Sequence, residues 1–214
     1  MQVDVNTSTP LCELMGYFGS DKGHRDITKC WHNYTTLYHS LFKDICSQPL
    51  RLFELGLGTN NTNIPSNMGK DGKPGASLFA WKEYFKNGMI YGADIDRDIL
   101  FSTERIKTFY CDQTNPESIA TLWKEPPLTE GFDIIIEDGL HAFNANVCFF
   151  ENSIHKLNVG GYYIIEDIAP CYIANFEDIL PKWRSIYPDL TFTLLMLPSM
   201  NSGDNNLVVI KRNA

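Results

Sequence analysis

Short runs of apolar residues alternate along the chain with segments in which apolar residues recur at helical spacing. The runs are four to eight residues long, which is typical of buried strands. The first of them, LRLFEL, ends in Gly56-Leu57-Gly58, a sequence that cannot continue a strand easily. The pattern predicts seven strands: Leu50–Leu55, Met89–Asp94, Lys107–Cys111, Phe132–Ile136, Tyr162–Ile165, Leu190–Leu197 and Asn206–Lys211.

Helical segments separate most of these strands. Leu78, Trp81 and Phe85 recur at helical spacing before Asn87-Gly88, which is a normal helix end. Asn115-Pro116 predicts a capped helix start with proline at the first helical position. The predicted helices cover Leu11–Phe18, His32–Ile45, Ala76–Lys86, 115–124, Asn144–Leu157 and Phe176–Tyr187. The helix that ends at Leu157 is followed by a predicted loop over Asn158–Gly161.

Apolar strands that are separated by helices predict an α/β fold with a parallel sheet covered on both faces. The last two strands have no helix between them and should pair antiparallel at one edge. We therefore expect a doubly wound, Rossmann-like sheet of about seven strands, with one antiparallel edge strand. Residues 1–48 carry helical patterns and no clear strand, so we expect an N-terminal helical lid or appendage to a main domain over residues 49–214. The long loop Thr59–Pro74 should be functional or mobile.

Composition narrows the choice of partners and compartment. The 214 residues carry 18 Lys+Arg against 26 Asp+Glu, a formal net charge of −8, which argues against a nucleic-acid partner. The first residues lack a basic and then apolar signal segment, and no window approaches a membrane span of 18 apolar residues. The six cysteines form no C-x-x-C pair. We expect a cytoplasmic protein with reduced thiols and no membrane span.

Acidic side chains follow the predicted strands at the edge where ligands of open α/β sheets bind. Glu54 lies beside the glycine turn of the first strand, and Asp94 ends the second. A carboxylate in the position of Asp94 can accept both hydroxyls of a ribose, and Asp112 after the third strand can accept from an adenine amino group. The same residues also fit a solvated acid at a strand end and an ordinary helix-capping acid.

A second acidic group follows the fourth and fifth strands. Asp138 and His141 come after the fourth strand, and Glu166-Asp167 follows the fifth. Three carboxylates that converge repel one another unless a cation lies between them, and hard oxygen ligands suit Mg²⁺ or Mn²⁺. A neutral His141 imidazole would be a competent base near pH 7. Alternatively, Glu166-Asp167 caps the next helix and His141 is a surface histidine.

Together these motifs resemble a known family, the metal-dependent sugar O-methyltransferases, which include enzymes that act on deoxysugars of macrolide and polyketide antibiotics. The resemblance spans nearly the whole chain. It rests on Glu54-Leu-Gly-Leu-Gly58, Tyr91-Gly-Ala-Asp94-Ile-Asp96, Asp112, Glu137-Asp138-Gly-Leu-His141, Gly160-Gly-Tyr-Tyr-Ile-Ile-Glu166-Asp167, Gly19-Ser-Asp-Lys22 and His32-Asn-Tyr-Thr35.

The resemblance implies a class I S-adenosylmethionine-dependent methyltransferase with a Mg²⁺ or Mn²⁺ ion. It implies cofactor contacts from Glu54, Gly56, Gly58, Asp94, Ile95, Asp112 and Gln113. It implies that Asp138, Glu166 and Asp167 hold the metal, and that His141 is the general base beside Asp138. It further implies substrate contacts from Lys22, His32 and Tyr34.

Two further enzyme classes and one binding function stay open from the sequence. A metal-dependent catechol-type O-methyltransferase uses similar carboxylates, although a catechol needs little more than Mg²⁺ and an amine, so the histidine favours a sugar. A catalytically silent S-adenosylmethionine-binding module has no need for clustered anions. A dehydrogenase fits poorly because the third glycine of the dinucleotide fingerprint is missing. The acceptor sugar, whether free, nucleotide-linked or in a glycan, and a homo-oligomeric state are left undetermined.

Overall fold

A computed structural model describes residues 4–199 and 203–214. Its strands are β1 Arg51–Leu55, β2 Met89–Asp94, β3 Ile106–Tyr110, β4 Phe132–Glu137, β5 Leu157–Ile165, β6 Leu190–Met196 and β7 Asn206–Arg212. Its α-helices are α1 Pro10–Phe18, α2 Tyr34–Phe42, α3 Ala76–Tyr84, α4 Pro116–Leu122, α5 Phe143–Ser153 and α6 Ile173–Ile186. Most predicted elements therefore form within a few residues of their expected bounds.

The strands form one mixed sheet in the order β3-β2-β1-β4-β5-β7-β6. Strands β1 to β5 pair in parallel, whereas β7 runs antiparallel to both of its neighbours, β5 and β6. The predicted fold class, a doubly wound sheet with an antiparallel pair at one edge, is confirmed. Strand β6 lies at that edge, and β7, which pairs with it, runs opposite to the other strands. The strand order reverses between β1 and β4, which is the place where ligands bind in open α/β sheets.

Local capping explains where two of the helices start. The Asn115 side chain accepts from the backbone N–H groups of Glu117 and Ser118, with Pro116 in the first turn of α4. The Thr9 side chain accepts from the backbone N–H of Cys12 at the start of α1. Such caps satisfy donors that a helix start leaves unpaired. The Asn115-Pro116 signal is local, which is why the sequence could place the start of α4.

The sheet is covered by a hydrophobic cluster on each face. Consecutive residues of a strand point to opposite faces, so Phe53 of β1 joins one cluster and Leu52 the other. The Phe53 cluster includes Trp183 of α6. The Leu52 cluster includes Trp81 of α3 together with Tyr34, so α2 packs into the same apolar layer as the helix that follows β1.

The predicted loop Asn158–Gly161 is wrong, because these residues lie inside β5. Helix α5 ends at Ser153 and β5 begins at Leu157, a few residues earlier than the apolar run predicts. The pairing partners jump from Phe132↔Leu157 to Ile134↔Tyr162, so β5 accommodates extra residues in a bulge. Because the bulged part of β5 is polar and glycine-rich, a prediction based on apolar runs does not recognise it as a strand.

Two further expectations from the sequence concern membrane spans and disulfides. In the part of the chain that the structure describes, no helix is both long and apolar enough to cross a membrane. All six cysteines lie in this described part, and none of them is joined in a disulfide.

Candidate active site at the carboxyl edge of the sheet

A cavity of about 270 Å³ opens at the carboxyl ends of the strands β1 to β4. Its position next to the β1/β4 reversal agrees with the ligand site expected for this topology. Nine predicted site residues line it: Gly56, Gly58, Asp94, Ile95, Asp112, Gln113, Asp138, His141 and Asp167. The residues predicted for cofactor binding and for metal chemistry therefore share one cavity.

Asp94 is buried at the end of β2 and uses each carboxylate oxygen once. Its Oδ2 accepts from the backbone N–H of Leu57 at 2.7 Å, and its Oδ1 accepts from that of Asp96 at 2.8 Å. Burial raises the pKa of the carboxyl group, and the two backbone donors counteract that rise. Because a carboxylate offers about four lone-pair sites, one remains on each oxygen. Asp94 therefore keeps acceptor capacity at the edge of the cavity, and its predicted contact with a ribose stays a prediction.

Gly56 brings the turn after β1 into contact with the turn after β4. Its φ of 88° lies in the left-handed region, and an added Cβ would come within 1.8 Å of the backbone oxygen of Asp138. The backbone N–H of Asp138 donates in return to the carbonyl of Leu55 at 2.9 Å. Only glycine allows this approach, so Gly56 couples the predicted cofactor turn to the predicted metal residue.

Replacing Gly56 with alanine should therefore destabilise the fold more than the same change at Gly69. Gly69 has a similar φ of 72°, but an added Cβ there would meet nothing within 4 Å, so Gly69→Ala costs about 1–2 kcal/mol of left-handed strain. Gly56→Ala adds overpacking of about 1–3 kcal/mol. Urea denaturation measures both free energies of unfolding. Equal losses in the two variants would contradict the close contact between the turns.

Gln113 links the adenine side of the cavity to the turn that carries His141. Its Nε2 donates to Glu137 Oε1 at 2.9 Å, and its Oε1 accepts from the backbone N–H of Leu140 at 2.6 Å. Glu137 is fully buried and also accepts from Asn146, so it ties α5 to the same turn. The sequence marks Glu137 as part of a motif, but its role as the junction of three segments depends on tertiary contacts.

Asp138, His141 and Asp167 come together at the metal end of the cavity. One ligand atom from each lies within 4.8 Å of the others. His141 Nε2 is 3.1 Å from Asp138 Oδ1 and 3.6 Å from Asp167 Oδ2. Two carboxylate oxygens this close suit a hard divalent cation such as Mg²⁺ or Mn²⁺. The residues present therefore fit the ion that the resemblance implies.

Two of these residues adopt strained backbone conformations. His141 has a φ of 57° and Asp167 a φ of 53°, both in the left-handed region. Non-glycine residues in sparsely populated regions cost of order 1–3 kcal/mol each and cluster at functional sites. The surrounding contacts hold both side chains toward the cavity in spite of this strain.

The charges of Asp138, His141 and Asp167 shift one another's pKa values. Burial lowers the pKa of His141, but the hydrogen bond and the charge of Asp138 outweigh it and raise the pKa to about 10. Burial raises the pKa of Asp138, yet Lys22 and His141 together lower it well below its usual range. Burial and the charge of Asp138 raise the pKa of Asp167 to about 6. His141 therefore keeps a proton as long as its two carboxylate neighbours are not neutralised.

Glu54 and Glu166 stand outside the set of described residues that line the cavity. Glu54 accepts from Ser77 Oγ and Trp81 Nε1, each at 2.5 Å, so its carboxylate anchors α3 to β1. Glu166 accepts from Tyr38 and from the Lys22 ammonium. A cofactor contact for Glu54 and a metal contact for Glu166 stay predictions.

The residues predicted for substrate contact lie behind the metal group. The Tyr34 hydroxyl donates to Asp167 Oδ1 at 2.7 Å, and His32 Nε2 is 3.6 Å from Asp167 Oδ2. Both side chains are almost fully buried. Lys22 is buried as well, and its ammonium pairs with Asp138 and Glu166. In this structure the three residues support the carboxylates, and their contact with a substrate stays a prediction.

The long loop Thr59–Pro74 forms a wall of the cavity through Ile64, Pro65, Ser66 and Met68. Ser66 Oγ donates to the carbonyl of Leu140 at 2.8 Å, which attaches the loop to the turn that carries His141. The backbone N–H of Met68 donates to the carbonyl of Thr59 at 2.8 Å and closes the loop on itself. The sequence predicted a functional or mobile loop, and its place in the cavity wall depends on these tertiary contacts.

Sequence comparisons relate the chain to known enzymes, although no protein-family model matches it. It is 30% identical over 146 residues to the 8-demethyl-8-alpha-L-rhamnosyl tetracenomycin-C 2'-O-methyltransferase of Streptomyces olivaceus, covering 68% of this chain and 36% of that one. It is 31% identical over 177 residues to the L-olivosyl-oleandolide 3-O-methyltransferase of Streptomyces antibioticus, covering 80% of this chain and 40% of that one. The chain thus spans well under half the length of these relatives.

Structural comparison agrees. The methyltransferase MycE from the mycinamycin biosynthetic pathway, in complex with Mg and SAH, superimposes with a TM-score of 0.71 at 22% identity. The match covers 97% of this chain and 56% of MycE. At this identity the likeness shows the fold, while the relatives above carry the sequence relationship. The chain therefore has the class I S-adenosylmethionine-dependent methyltransferase fold, and its sequence resembles the sugar O-methyltransferases, as its motifs predict.

Proposed function

We propose that the protein transfers a methyl group from S-adenosylmethionine to a hydroxyl of a sugar, carried by a nucleotide sugar, a glycoside or a glycan. The observation that supports this most is that one cavity is lined both by Asp94 and by the group Asp138, His141 and Asp167. A methyl donor held by the first and a hydroxyl held by the second would meet in that cavity.

For the cofactor, we assign the ribose hydroxyls to the free lone pairs of Asp94. Gly56 and Gly58 leave room for close approach to the backbone after β1, and both line the cavity. Ile95 is half-exposed beside Asp94 and offers an apolar contact for the adenine, with Asp112 and Gln113 at its edge. Glu54 supports this surface indirectly by anchoring α3.

For the chemistry, we assign the metal to Asp138 and Asp167, with Glu166 as the third predicted ligand, and the proton transfer to His141. A bound divalent cation supplies Lewis-acid polarisation of the acceptor hydroxyl and neutralises the carboxylates that hold a proton on His141. His141 Nε2 lies 3.1 Å from Asp138 Oδ1, which holds the imidazole at the site. With that carboxylate oxygen engaged by a bound cation, the unprotonated imidazole would be free to take the hydroxyl proton. The chain's own residues thereby hold the acceptor in line with the methyl group.

A catechol-type enzyme would use an amine as its base. Among the described residues, the amine beside these carboxylates is Lys22, and its environment keeps it protonated. Burial lowers the pKa of Lys22, but the charges of Asp138, Glu166 and Glu54 outweigh it and raise that pKa well above its usual value. Such an ammonium does not accept a proton at neutral pH. A silent binding module is also disfavoured, because it would gain nothing from the strained backbone of His141 and Asp167.

We extend the proposal to the domains, the compartment and the partners of the protein. We assign residues 1–48 to a helical lid or appendage and residues 49–214 to the methyltransferase domain, since the N-terminal segment supplies Lys22, His32 and Tyr34 as partners of the carboxylates in the metal group. We place the protein in the cytoplasm with a small-molecule or glycan acceptor and no nucleic-acid partner, in line with its net charge of −8. The oligomeric state is to be measured by light scattering.

Metal removal tests the proposed function. With radiolabelled S-adenosylmethionine and a panel of nucleotide sugars and deoxysugar glycosides, EDTA should lower methyl transfer at least about 100-fold, and excess Mg²⁺ should restore it. The size of the effect follows from a Lewis-acid contribution of several kcal/mol. Calorimetry with S-adenosylhomocysteine in EDTA serves as the control for an intact cofactor site. Methyl transfer that is indifferent to chelation would rule out the metal role.

A further inference from the structure

Strand β6 is the last strand of the sheet and pairs with β7 on one side. Its sequence, LTFTLLM, contains no charged residue, proline or glycine, and its register with β7 is continuous. Natural edge strands are usually short, or carry lysine, proline or a bulge, because a bare edge readily pairs with another strand. Strand β6 has none of these protections.

The backbone groups of alternate residues in β6 point away from β7. The Leu197 N–H donates to the carbonyl of Asn205 at 3.1 Å, in register with the β6–β7 ladder, so the odd-numbered residues face β7. Alternate residues of an antiparallel strand bond to opposite sides. The N–H and C=O groups of Phe192, Leu194 and Met196 therefore face outward, at the edge of the sheet.

These three residues present six outward groups, and five of the six have no hydrogen-bond partner in the part of the chain that the structure describes. The exception is the Phe192 carbonyl, which accepts from Arg184 Nη2 at 3.1 Å. A carbonyl has two lone pairs, so it can accept a second hydrogen bond. The edge thus offers a row of donors and acceptors that fits another strand.

The opposite edge of the sheet is covered by the chain itself. The segment 101–103 runs along β3: the Thr103 N–H donates to the carbonyl of Ile106 at 2.7 Å, and the Thr108 N–H donates to that of Phe101 at 3.1 Å. Pairing between sheet edges of two copies would therefore use β6 in both. Such an interface has a two-fold axis and closes as a dimer, whereas two different open edges would build a filament.

Exposed apolar side chains lie at both ends of β6. Met196 at its carboxyl end is 66% exposed, and Ile186 in the last turn of α6, before the strand begins, is 62% exposed. Trp31 is also exposed and lies beside the carboxyl end, where its carbonyl accepts from Ser199 Oγ at 3.2 Å. An antiparallel copy of β6 brings the carboxyl end of one strand to the start of the other, so these apolar groups would meet. Because β6 is uncharged, self-pairing places no like charges opposite each other.

We propose that β6 is the interface of a homodimer, in which two copies pair β6 with β6 antiparallel about a two-fold axis near Thr193 and Leu194. With the axis in the middle of the strand, the outward groups of β6 find partners in the other copy, and the two sheets become one. None of the described residues that line the cavity belongs to β6, so this dimer goes beyond the proposed methyl transfer and does not depend on it.

The oligomeric state tests the interface. Sedimentation velocity and light scattering over a concentration series should give twice the mass of one chain. Thr193→Lys should raise the dimer Kd at least about tenfold, because the two added ammonium groups lie about 5–8 Å apart beside the axis. Thr191→Lys is the matched control: it puts the same charge on the same exposed face of β6, but the two copies lie about 13–20 Å apart and are screened by salt. This control should stay dimeric.

Amide hydrogen exchange locates the interface. The Leu194 N–H has no acceptor in a single chain, so it should exchange at least about tenfold more slowly in the dimer and lose this protection in Thr193→Lys. Thermal melting checks that each variant is folded. If Thr193→Lys fails to fold, Met196→Glu carries the test, because Met196 is exposed and its glutamate would face apolar groups of the other copy.

A monomer at every concentration would overturn the β6 interface. So would a dimer in which the Leu194 amide exchanges rapidly, since such a dimer uses another surface. Equal dissociation by Thr191→Lys and Thr193→Lys would contradict pairing about the middle of the strand, and growth beyond a dimer would contradict the closed two-fold arrangement. Methyl transfer is measured separately, so each of these outcomes leaves the proposed function in place.

Discussion

Replacing His141 with alanine is expected to lower kcat by about 10²–10⁴-fold, the usual range for the loss of a general base. The affinity for S-adenosylhomocysteine should change little, because the contacts of His141 run to Asp138 and Asp167 at the metal end of the cavity. Steady-state methyl transfer measures kcat, and calorimetry measures the affinity for S-adenosylhomocysteine. The expected split between kcat and cofactor binding separates a proton acceptor from a packing residue.

A second variant at position 141 controls for backbone strain. Alanine at a φ of 57° is strained, whereas asparagine tolerates the left-handed region better than most residues. His141→Asn should therefore lose as much kcat as His141→Ala while it melts closer to the wild type. His155→Ala, in the short helical turn just before β5, is the matched control. If His141→Asn kept most of the activity, or if either variant lost cofactor affinity strongly, His141 would be structural.

Asp94→Ala is expected to weaken S-adenosylhomocysteine binding by about 10²–10⁴-fold. Two hydrogen bonds from ribose hydroxyls to a charged acceptor contribute about 1.5–3 kcal/mol each, and every 1.4 kcal/mol changes Kd tenfold. The buried position of Asp94 at the end of β2 gives these bonds little competition from water. Calorimetry measures the affinity.

Stability has to be followed in the same variant. Asp94→Ala leaves the N–H groups of Leu57 and Asp96 without their acceptor, so it should also lower Tm. Asp98→Ala, an exposed acid in the same segment, is the control for a change of charge alone. An unchanged Kd in a folded Asp94→Ala protein would refute the ribose assignment.

Much of the fold could be predicted because its signals are local. An apolar run that ends in Gly56-Leu57-Gly58 marks a strand and its turn, and Asn115-Pro116 marks a helix start, whatever the rest of the chain does. The bulge in β5 shows the limit. Asn158–Gly161 is polar and glycine-rich, and only pairing with β4 and the register shift at Phe132 make it a strand.

The candidate site could likewise be predicted in part. Parallel strands bring their carboxyl ends to one edge, so the positions of Asp94, Asp138 and Asp167 in the chain already predict that they meet. Which oxygens face the cavity could not be predicted in this way. The carboxylates of Glu54 and Glu166 have the same place in the pattern, yet their oxygens are bonded to Trp81, Tyr38 and other donors from helices and from the N-terminal turn.

Strand periodicity and strand-end acids are properties of single segments, so they specify the class of fold, the candidate ligand edge and the residue types gathered there. The pairing of Lys22 with Asp138 and Glu166, and the link that Gln113 and Glu137 make between the cofactor side and the turn of His141, are visible in the folded chain alone. Such roles depend on which donor reaches which oxygen between segments far apart in the chain. That pairing is set by packing, about which the spacing of residues along the sequence carries no direct signal.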